Sequence, residues 1–276
     1  MKVRFTKMHG LGNDFVLLDG RRGLPALTPH WLAWLADRRR GVGCDQILVL
    51  EPPAMEGADV RYRVFNADGS SAEHCGNGVR CVAHYLARRG EVRGHSVKVQ
   101  IGTQVFLLGL LPSGEVRVDM GVPEFAPARI PLAAPDQAAR YSLEFSGAPW
   151  SFGAVSMGNP HAVFEVPDVA TAPVAALGSA LQDHPLFPAR VNVGFMQRIS
   201  AREIHLRVHE RGAGETPACG TGACAAVAVG RLWGQLDPEV TVHLPGGALI
   251  ITWAGAGESL FMTGPATWVF EGECNT

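Results

Sequence analysis

Hydrophobic and polar residues alternate with a period of two through most of this chain, in short runs separated by glycine and proline. Such alternation is typical of strands that bury one face and expose the other. In the first half of the chain the predicted strands are 15–19, 46–50, 60–65, 97–101, 105–110 and 116–120. In the second half they are 153–156, 204–208, 240–244 and 248–253. The pattern therefore predicts a fold dominated by sheet.

Two segments have a helical period instead. In the segment 76–89, Val79, Val82, Ala83 and Leu86 fall on one stripe. The segment 220–233 is apolar on every side, which indicates a helix surrounded by other structure.

A third helix is predicted to begin with Thr28 as its cap and Pro29 in its first turn. It is predicted to end at the basic run 38–40, because cations complement the negative end of a helix dipole. That run is interpreted as a solvated terminus.

The two halves of the chain repeat the same landmarks in the same order. Cys75-Gly76-Asn77-Gly78 returns 144 positions later as Cys219-Gly220-Thr221-Gly222, each time at the start of a predicted helix. Other pairs recur at nearly the same offset: Asn13 with Asn159, Gln46 with Asn192, Arg63 with Arg207, and Val99 with Val242. Ordered recurrence of this kind indicates a duplicated fold, with a pseudo-two-fold axis relating its halves.

The predicted boundary lies near residue 122, because 121–135 contains four prolines and little charge. We expect one domain at 1–121 carrying Cys75 and another at 122–264 carrying Cys219. The last strand, within 265–276, could pair with either half. The predicted class is α+β, in which each half is a curved, mostly antiparallel, barrel-like sheet around a central helix and the active site lies in the cleft between the halves.

Composition narrows the classes of function. A length of 276 residues with 47% hydrophobic content is sufficient for two packed cores. A net charge of −2 gives no basic footprint for nucleic acid. No apolar stretch approaches the ~18 residues of a membrane span, and the N-terminus resembles a strand rather than a signal peptide. A cytoplasmic protein is expected, with its six cysteines as free thiols.

The repeated cysteines are the strongest chemical signal. A thiol just before a glycine-rich helix start lies where unpaired backbone N–H groups converge, so its pKa is predicted to be lowered towards neutrality. If Cys75 and Cys219 face each other, one can remove a proton from a carbon while the other donates a proton to the opposite face. That exchange inverts a stereocentre, provided that donors stabilise the carbanion.

Other uses of these residues stay open. A structural zinc site would draw on four cysteines and two nearby histidines, but its cysteine pairs would be separated by five and four residues, and the first separation exceeds the usual two to four. Cys81 and Cys224 are instead interpreted as small core residues. The six residues are Cys75, Cys81, Cys219, Cys224, His74 and His84.

Redox catalysis by the repeated thiols is disfavoured, because the sequence lacks the Cys-x-x-Cys pair that redox proteins usually contain. Nucleotide binding is disfavoured, because the glycine-rich segments have neither a Walker lysine nor the glycine spacing of a Rossmann fold. Pyridoxal phosphate needs a Schiff-base lysine, and none of Lys2, Lys7 and Lys98 lies in a motif. We therefore expect no cofactor and no metal.

Five segments closely resemble the motifs of the diaminopimelate epimerase family, along essentially the whole chain. They are 8–15 (MHGLGNDF), 66–70 (NADGS), 75–78 (CGNG), 157–161 (MGNPH) and 210–220 (ERGAGETPACG). The resemblance implies that the protein interconverts LL- and meso-2,6-diaminopimelate without a cofactor, on the route to lysine and peptidoglycan precursors. It implies a homodimer that binds only this small-molecule substrate.

The resemblance also implies roles for individual residues. Cys75 and Cys219 match the acid and the base, and His161 and Glu210 match residues that tune them. Gly76, Gly220 and Thr221 match backbone donors to the substrate carboxylate. The substrate-binding positions are Asn13, Gln46, Asn66, Asn77, Asn159, Asn192, Glu210 and Arg211.

Two departures from the family's pattern are visible. Thr221 stands where serine is common, which keeps the hydroxyl. Phe270 stands where tyrosine supports dimer contact in some members, so the implied dimer loses any hydrogen bond made there. Racemisation of another amino acid, such as proline, is the alternative within this class.

Overall fold

The computed structural model describes residues 2–72, 76–92 and 94–275. Its contacts divide the chain into two compact units. Unit 1 comprises Met1–Val118 with Gly264–Thr276, and unit 2 comprises Asp119–Thr263. The division falls three residues before the boundary expected from the prolines, and the C-terminal segment belongs to unit 1.

The elements are short strands with four α-helices among the described residues. The strands are β1 (Lys2–Gly10), β2 (Asn13–Asp19), β3 (Gln46–Glu51), β4 (Val60–Asn66), β5 (Ser71–Ala72), β6 (Ser96–Ile101), β7 (Gln104–Leu110), β8 (Val116–Asp119), β9 (Tyr141–Phe145), β10 (Ala148–Ser156), β11 (Pro160–Glu165), β12 (Asn192–Ser200), β13 (Glu203–Glu210), β14 (Gly214–Glu215), β15 (Glu239–Leu244), β16 (Gly247–Trp253), β17 (Leu260–Gly264) and β18 (Thr267–Asn275). The helices are α1 (Pro29–Ala36), α2 (Gly76–Arg88), α3 (Val174–Gln182) and α4 (Gly220–Leu232).

Both units have the same strand order and the same sequence of strand directions. In unit 1 the order is β18-β1-β2-β3-β4-β6-β7-β8, with β5 added to β4. In unit 2 it is β9-β10-β11-β12-β13-β15-β16-β17, with β14 added to β13. In each unit the third and fifth of these seven pairings are parallel and the others antiparallel. The predicted sheet-rich α+β fold with a duplicated plan is therefore confirmed.

The duplication extends to individual residue pairs. In the first parallel pairing Phe15 lies opposite Gln46, and 146 positions later His161 lies opposite Asn192. In the second, Val60 lies opposite Val99, and Ile204 lies opposite Val242. The offsets found in the sequence are thus offsets between equivalent places in two sheets.

One helix in each unit packs on one face of the sheet. In unit 1, α2 contacts β1, β2, β7 and β18, and buries the predicted stripe of Val79, Val82, Ala83 and Leu86. In unit 2, α4 contacts β10 to β13 and β16, and buries all residues from Gly222 to Gly230. The prediction that this second helix is enclosed on all sides is confirmed.

A second helix in each unit covers the opposite face; α1 was predicted from its cap, whereas α3 was not predicted. In unit 1, α1 packs with Val16, Leu18, Ile47 and Val49, which alternate along β2 and β3 with residues pointing the other way. In unit 2, α3 packs on a core of aromatic residues that includes Phe152, Phe164, Phe187 and Phe195. Apolar residues at Val174, Leu177 and Leu181 have the helical spacing that could have revealed α3.

The start of α1 is as predicted and its end is not. The Thr28 hydroxyl accepts a hydrogen bond from the Trp31 amide at 3.2 Å, as an N-cap does. The helix ends at Ala36, so the basic run follows it. All three arginines of the run are exposed, as predicted, and Arg38 also forms ion pairs of 2.7 Å with both Asp14 and Asp45.

Candidate functional site

The unit 2 site residues gather at the start of α4. Cys219 is the N-cap residue, in an extended conformation, and its carbonyl oxygen accepts the Ala223 amide at 3.0 Å. Gly222 lies so close that a Cβ there would stand 3.2 Å from the Cys219 Sγ and 2.9 Å from a Val208 methyl. The glycine therefore lets the first turn of the helix approach the sulfur.

The predicted lowering of the thiol pKa was wrong for Cys219 in this structure. Only 4% of the residue is exposed, and burial raises its pKa well above the ordinary value because a thiolate is poorly solvated there. The nearby Glu210 carboxylate raises it further. The Thr221 hydroxyl and the Gly222 amide act in the opposite direction, but burial dominates. Cys219 is therefore a thiol at neutral pH.

A chain of hydrogen bonds leads from His161 to this sulfur. His161 Nε2 lies 3.0 Å from Asn159 Oδ1, Asn159 Nδ2 donates to Thr221 Oγ1 at 3.4 Å, and Thr221 Oγ1 lies 3.6 Å from Cys219 Sγ. Since an amide oxygen only accepts, the histidine donates through Nε2–H. The Thr221 oxygen accepts from Asn159, which leaves its own proton free to point at the sulfur.

His161 is held neutral. Burial lowers the pKa of His161 to about 3, and the positive charge of Arg211 contributes. The residue is 1% exposed. A neutral histidine keeps the direction of the hydrogen-bond chain fixed throughout the physiological pH range.

Both polar atoms of the Asn192 side-chain amide form hydrogen bonds with backbone groups. Its Nδ2 donates to the Pro160 carbonyl and its Oδ1 accepts the Arg211 amide, both at 2.9 Å. The Arg211 guanidinium donates to the Ala189 carbonyl at 3.2 Å. Asn192 thereby fixes the backbone that carries Arg211.

Glu210 is held by a short loop. Its Oε1 accepts a hydrogen bond from the hydroxyl of Thr216, a residue that our sequence analysis did not single out as a contact. The loop brings the chain back along β14 towards Cys219. The carboxylate is consequently fixed close enough to influence the thiol.

In unit 1 the described site residues form two groups of amides. Asn77 Nδ2 donates to Asn13 Oδ1 at 3.2 Å, close to Gly76 at the start of α2. Gln46 Nε2 donates to Asn66 Oδ1 at 3.2 Å across the β3–β4 pair. Cys75, the other predicted catalytic residue, lies outside the described residues.

A charged network behind the first group was missed in the sequence. Asp45 Oδ2 accepts from Asn13 Nδ2 at 3.0 Å, and Arg38 joins Asp45 to Asp14. The amine of the largely buried Lys7 lies 2.6 Å from Asp14. Burial alone would raise the pKa of Asp14, but hydrogen bonds from Arg38 and Lys7 together hold that pKa well below its usual range. Asp14 and Asp45 each adjoin a predicted site residue, which was the available signal.

Arg80 was also missed, because an arginine within a helix usually faces solvent. It is fully buried in unit 1. Its guanidinium donates to Asn77 Oδ1 at 2.9 Å, to the Gly76 carbonyl at 3.4 Å and to the Pro265 carbonyl at 3.2 Å. The arginine thus fixes Asn77 and the first turn of α2 against the chain that leads into β18.

The remaining cysteines have the expected character. Cys81 and Cys224 are completely buried in the helices, as predicted for core residues. Burial raises the pKa of Cys44 to about 12. All five cysteines among the described residues are free thiols, as predicted: Cys44, Cys81, Cys219, Cys224 and Cys274.

Within the described residues, no helix combines the length and the apolar character required to cross a membrane.

The chain is similar to known proteins over nearly its full length. The family model described as diaminopimelate epimerase matches residues 5–126 and 153–269. A diaminopimelate epimerase from Halorhodospira halophila is 56% identical over 271 residues, covering 98% of this chain and 94% of the relative. One from Alkalilimnicola ehrlichii is 55% identical over 275 residues, covering 99% of both.

Solved structures share the fold at low sequence identity. A hydroxyproline epimerase from Agrobacterium vitis aligns with a TM-score of 0.69 at 18% identity, covering 99% of this chain and 92% of that chain. A PhzF-family phenazine biosynthesis protein from Bacillus anthracis aligns with a TM-score of 0.66 at 15% identity, covering all of both chains.

Proposed function

The chain belongs to the diaminopimelate epimerase family, and from this premise we propose how it interconverts LL- and meso-2,6-diaminopimelate. We propose a two-base mechanism in which one cysteine removes the α-proton as thiolate and the other, as thiol, donates a proton to the opposite face. The electron pair left on the carbon is used by the incoming proton, so no net oxidation occurs. The observation that carries the proposal is the buried thiol of Cys219 at the start of α4, with its directed hydrogen bonds.

Cys219 is suited to the donor role in its resting state. Its raised pKa keeps the proton on sulfur, and Glu210 adds to that effect. After donation, the Thr221 hydroxyl and the Gly222 amide are placed to stabilise the thiolate. In the reverse direction this thiolate is the base, so the same contacts support both directions.

Cys75 is proposed as the opposing group because its motif is the repeat of the Cys219 motif. Equivalent strand registers in the two units support equivalent roles for residues at equivalent positions. The proposal requires the two sulfurs to reach opposite faces of one carbon.

The substrate carboxylate at the reacting centre is proposed to bind the first amides of the helices. The amides of Gly76, Gly220 and Thr221 belong to the first turns of α2 and α4, where N–H groups lack partners within the helix. The same amides oppose the charge that develops in the carbanion. The other proposed substrate contacts, among which the Arg211 guanidinium can pair with the distal carboxylate, are Asn13, Gln46, Asn66, Asn77, Asn159, Asn192, Glu210 and Arg211.

The proposed setting is a cytoplasmic homodimer that uses no cofactor and binds neither nucleic acid nor membrane. The free thiols are consistent with a reducing compartment. The dimer proposal is supported by β18, on which Val269 and Phe270 are about half exposed. Phe270 packs edge-on against Phe5, with ring centroids 5.9 Å apart.

Deuterium exchange tests the activity directly. The enzyme, incubated with meso-2,6-diaminopimelate in deuterated water, should form the LL isomer and label the α-carbon. Absence of both product and label in the wild type would reject the proposed activity. Proline and other α-amino acids, offered in the same assay, should remain unlabelled, and racemisation of one of them in preference would favour the alternative substrate class.

Substitution tests the two-base mechanism. Cys75→Ala and Cys219→Ala should each abolish turnover, because one face of the carbon loses its proton carrier. Cys274→Ala, at a free thiol on β18 that has no proposed role, is the control and should retain activity. Full epimerisation by either single variant would reject the mechanism while leaving the family assignment intact.

A further inference from the structure

Three side chains that can bind a metal ion meet on the solvent face of unit 2, two of them at the end of β13 opposite to Glu210. Glu203 and His205 lie two residues apart on β13, so both point to the same face, and His243 on β15 lies directly opposite His205. One ligand atom from each residue lies within 4.8 Å of the other two. We propose that these three residues form a binding site for a divalent transition-metal ion of the Zn²⁺ type.

The geometry is close to that of a loaded site. His243 Nε2 already lies 3.0 Å from Glu203 Oε1, and the ring centroids of His205 and His243 are 5.2 Å apart. Around a tetrahedral zinc ion with ligand bonds of about 2.1 Å, neighbouring ligand atoms stand roughly 3.4 Å apart. No two of the three ligand atoms are more than 4.8 Å apart, so each pair lies within about 1.4 Å of that spacing.

The donor set selects the class of ion. Two imidazoles and one carboxylate suit Zn²⁺, Co²⁺, Ni²⁺ and Cu²⁺, whereas Mg²⁺ and Ca²⁺ prefer sites made of oxygen. The side chains of His243 and Glu203 are 41% and 44% exposed, so an ion can enter from solvent and keep water in its remaining positions.

The fold itself does not demand this triad. The equivalent positions in the second parallel pairing of unit 1 are occupied by Asp59, Arg61 and Gln100. The Asp59 carboxylate accepts the Lys98 amide at 2.7 Å, and Gln100 Oε1 accepts the Ala54 amide at 2.8 Å. In unit 1 the side chains of Asp59 and Gln100 therefore form hydrogen bonds within the protein, whereas in unit 2 the equivalent positions carry residues that can bind a metal ion.

A bound ion would cross-link β13 and β15, whose parallel pairing is short. The parallel β13–β15 pairing comprises three residue pairs, and the triad lies on the first and last of them. Because an ion that binds only the folded state stabilises that state by linkage, the site is expected to raise the stability of unit 2.

Titration with Co²⁺ tests the site, since its absorption reports the ligand type. The wild-type protein should bind one Co²⁺ with d–d bands and without the thiolate charge-transfer band that cysteine ligation produces. Zn²⁺ should compete for the site and raise Tm. His205→Gln and His243→Gln should each weaken binding at least tenfold, and Glu203→Gln should weaken it less.

Matched controls separate the triad from other surface groups. Glu239→Gln removes an exposed carboxylate on β15, and His30→Gln removes an exposed histidine of unit 1. Both variants should bind Co²⁺ as the wild type does. The proposal is overturned if the wild type shows no saturable Co²⁺ binding, if its spectrum shows thiolate ligation alone, or if the His205→Gln/His243→Gln double variant binds equally well.

Discussion

At the scale of single residues, burial rather than helix position decides the chemistry of the site. The start of α4 does supply donors to Cys219, yet removing the thiol from water has the larger effect on its pKa. Burial also decides the charge of His161, and here the result is a neutral donor. The polar atoms around the sulfur therefore determine the direction of its hydrogen bonds, and burial determines the protonation states of Cys219 and His161.

The stability of the protein should depend on pH through His161. The pKa of His161 is lowered to about 3 in the folded state, whereas it returns to about 6.5 on unfolding. As the pH falls below 6.5, the His161 imidazole binds a proton in the unfolded state but stays neutral in the folded state. The free energy of unfolding should therefore decrease by up to about 1.4 kcal/mol per pH unit from this residue alone.

Urea unfolding between pH 7 and pH 4 measures this effect. The carboxylates contribute alike to the wild type and to His161→Gln, so the difference in slope isolates the histidine. His161→Gln should show the weaker dependence on pH. Equal slopes would mean that His161 is protonated in the folded protein.

The Thr221 hydroxyl should matter through its proton. Thr221→Val keeps the shape of the side chain and the backbone amide but removes the donor 3.6 Å from the sulfur. Hydrogen bonds to charged groups are worth about 1.5–3 kcal/mol, so kcat should fall roughly 10- to 150-fold. Thr221→Ser should remain near the wild type, and its kcat is the control. The pH profile should show a higher apparent pKa for Thr221→Val, and an unchanged profile would remove the hydroxyl from the mechanism.

At the scale of elements, the first turn of α4 depends on the absence of a side chain at residue 222. Gly222→Ala should improve helix propensity by up to about 1 kcal/mol, yet its methyl group would press on Val208 and on the Cys219 sulfur. We expect kcat to fall at least tenfold while Tm stays within a few degrees of the wild type.

Gly194→Ala is the control for this substitution. Its added methyl would meet Leu206 at 3.5 Å, an ordinary contact in the same unit. The control should keep both activity and stability. Wild-type kcat in Gly222→Ala would show that the sulfur tolerates displacement.

The elements that could be predicted are those whose signal is local or repeated. The period of two revealed most strands, and the enclosed character of α4 followed from its unbroken apolar run. The repeat also identified equivalent positions, since Gln46 and Asn192 hold the same place opposite β2 and β11. What could not be predicted depends on pairs distant in sequence: the burial of Arg80, the link from Asp45 to Asn13, and the meeting of His205 with His243.

At the scale of the whole molecule, the duplicated plan is completed in two different ways. In unit 2 the first strand of the sheet order, β9, immediately precedes β10 along the chain. In unit 1 the corresponding strand is β18, which comes from the far end of the chain and pairs with β1 along nearly its whole length. Unit 2 is therefore continuous in sequence, and unit 1 depends on closure by the C-terminus.

The C-terminal strand contributes core contacts as well as hydrogen bonds. The ring of Phe5 lies across Gly272, where a Cβ would stand 2.5 Å from its edge. Trp268 stacks on Tyr85 of α2 with ring centroids 5.5 Å apart, and Arg80 binds the carbonyl just before the strand. Removal of β18 would expose an edge of β1 and part of the face that supports α2.

The two units should consequently differ as isolated fragments. The fragment 119–263 retains every strand of its sheet order except the end of β17, together with α3, α4 and the aromatic core, and should unfold cooperatively when followed by circular dichroism. The fragment 1–118 lacks β18 and should not fold, whereas a chain joining 264–276 through a flexible linker to residue 2 should restore a cooperative transition. A short linker can make this connection, because β18 runs antiparallel to β1 and its last residues lie beside Lys2. Cooperative unfolding of 1–118 alone would show that the interior contacts of unit 1 suffice without the strand, and the asymmetry between the two units would then be one of sequence order only.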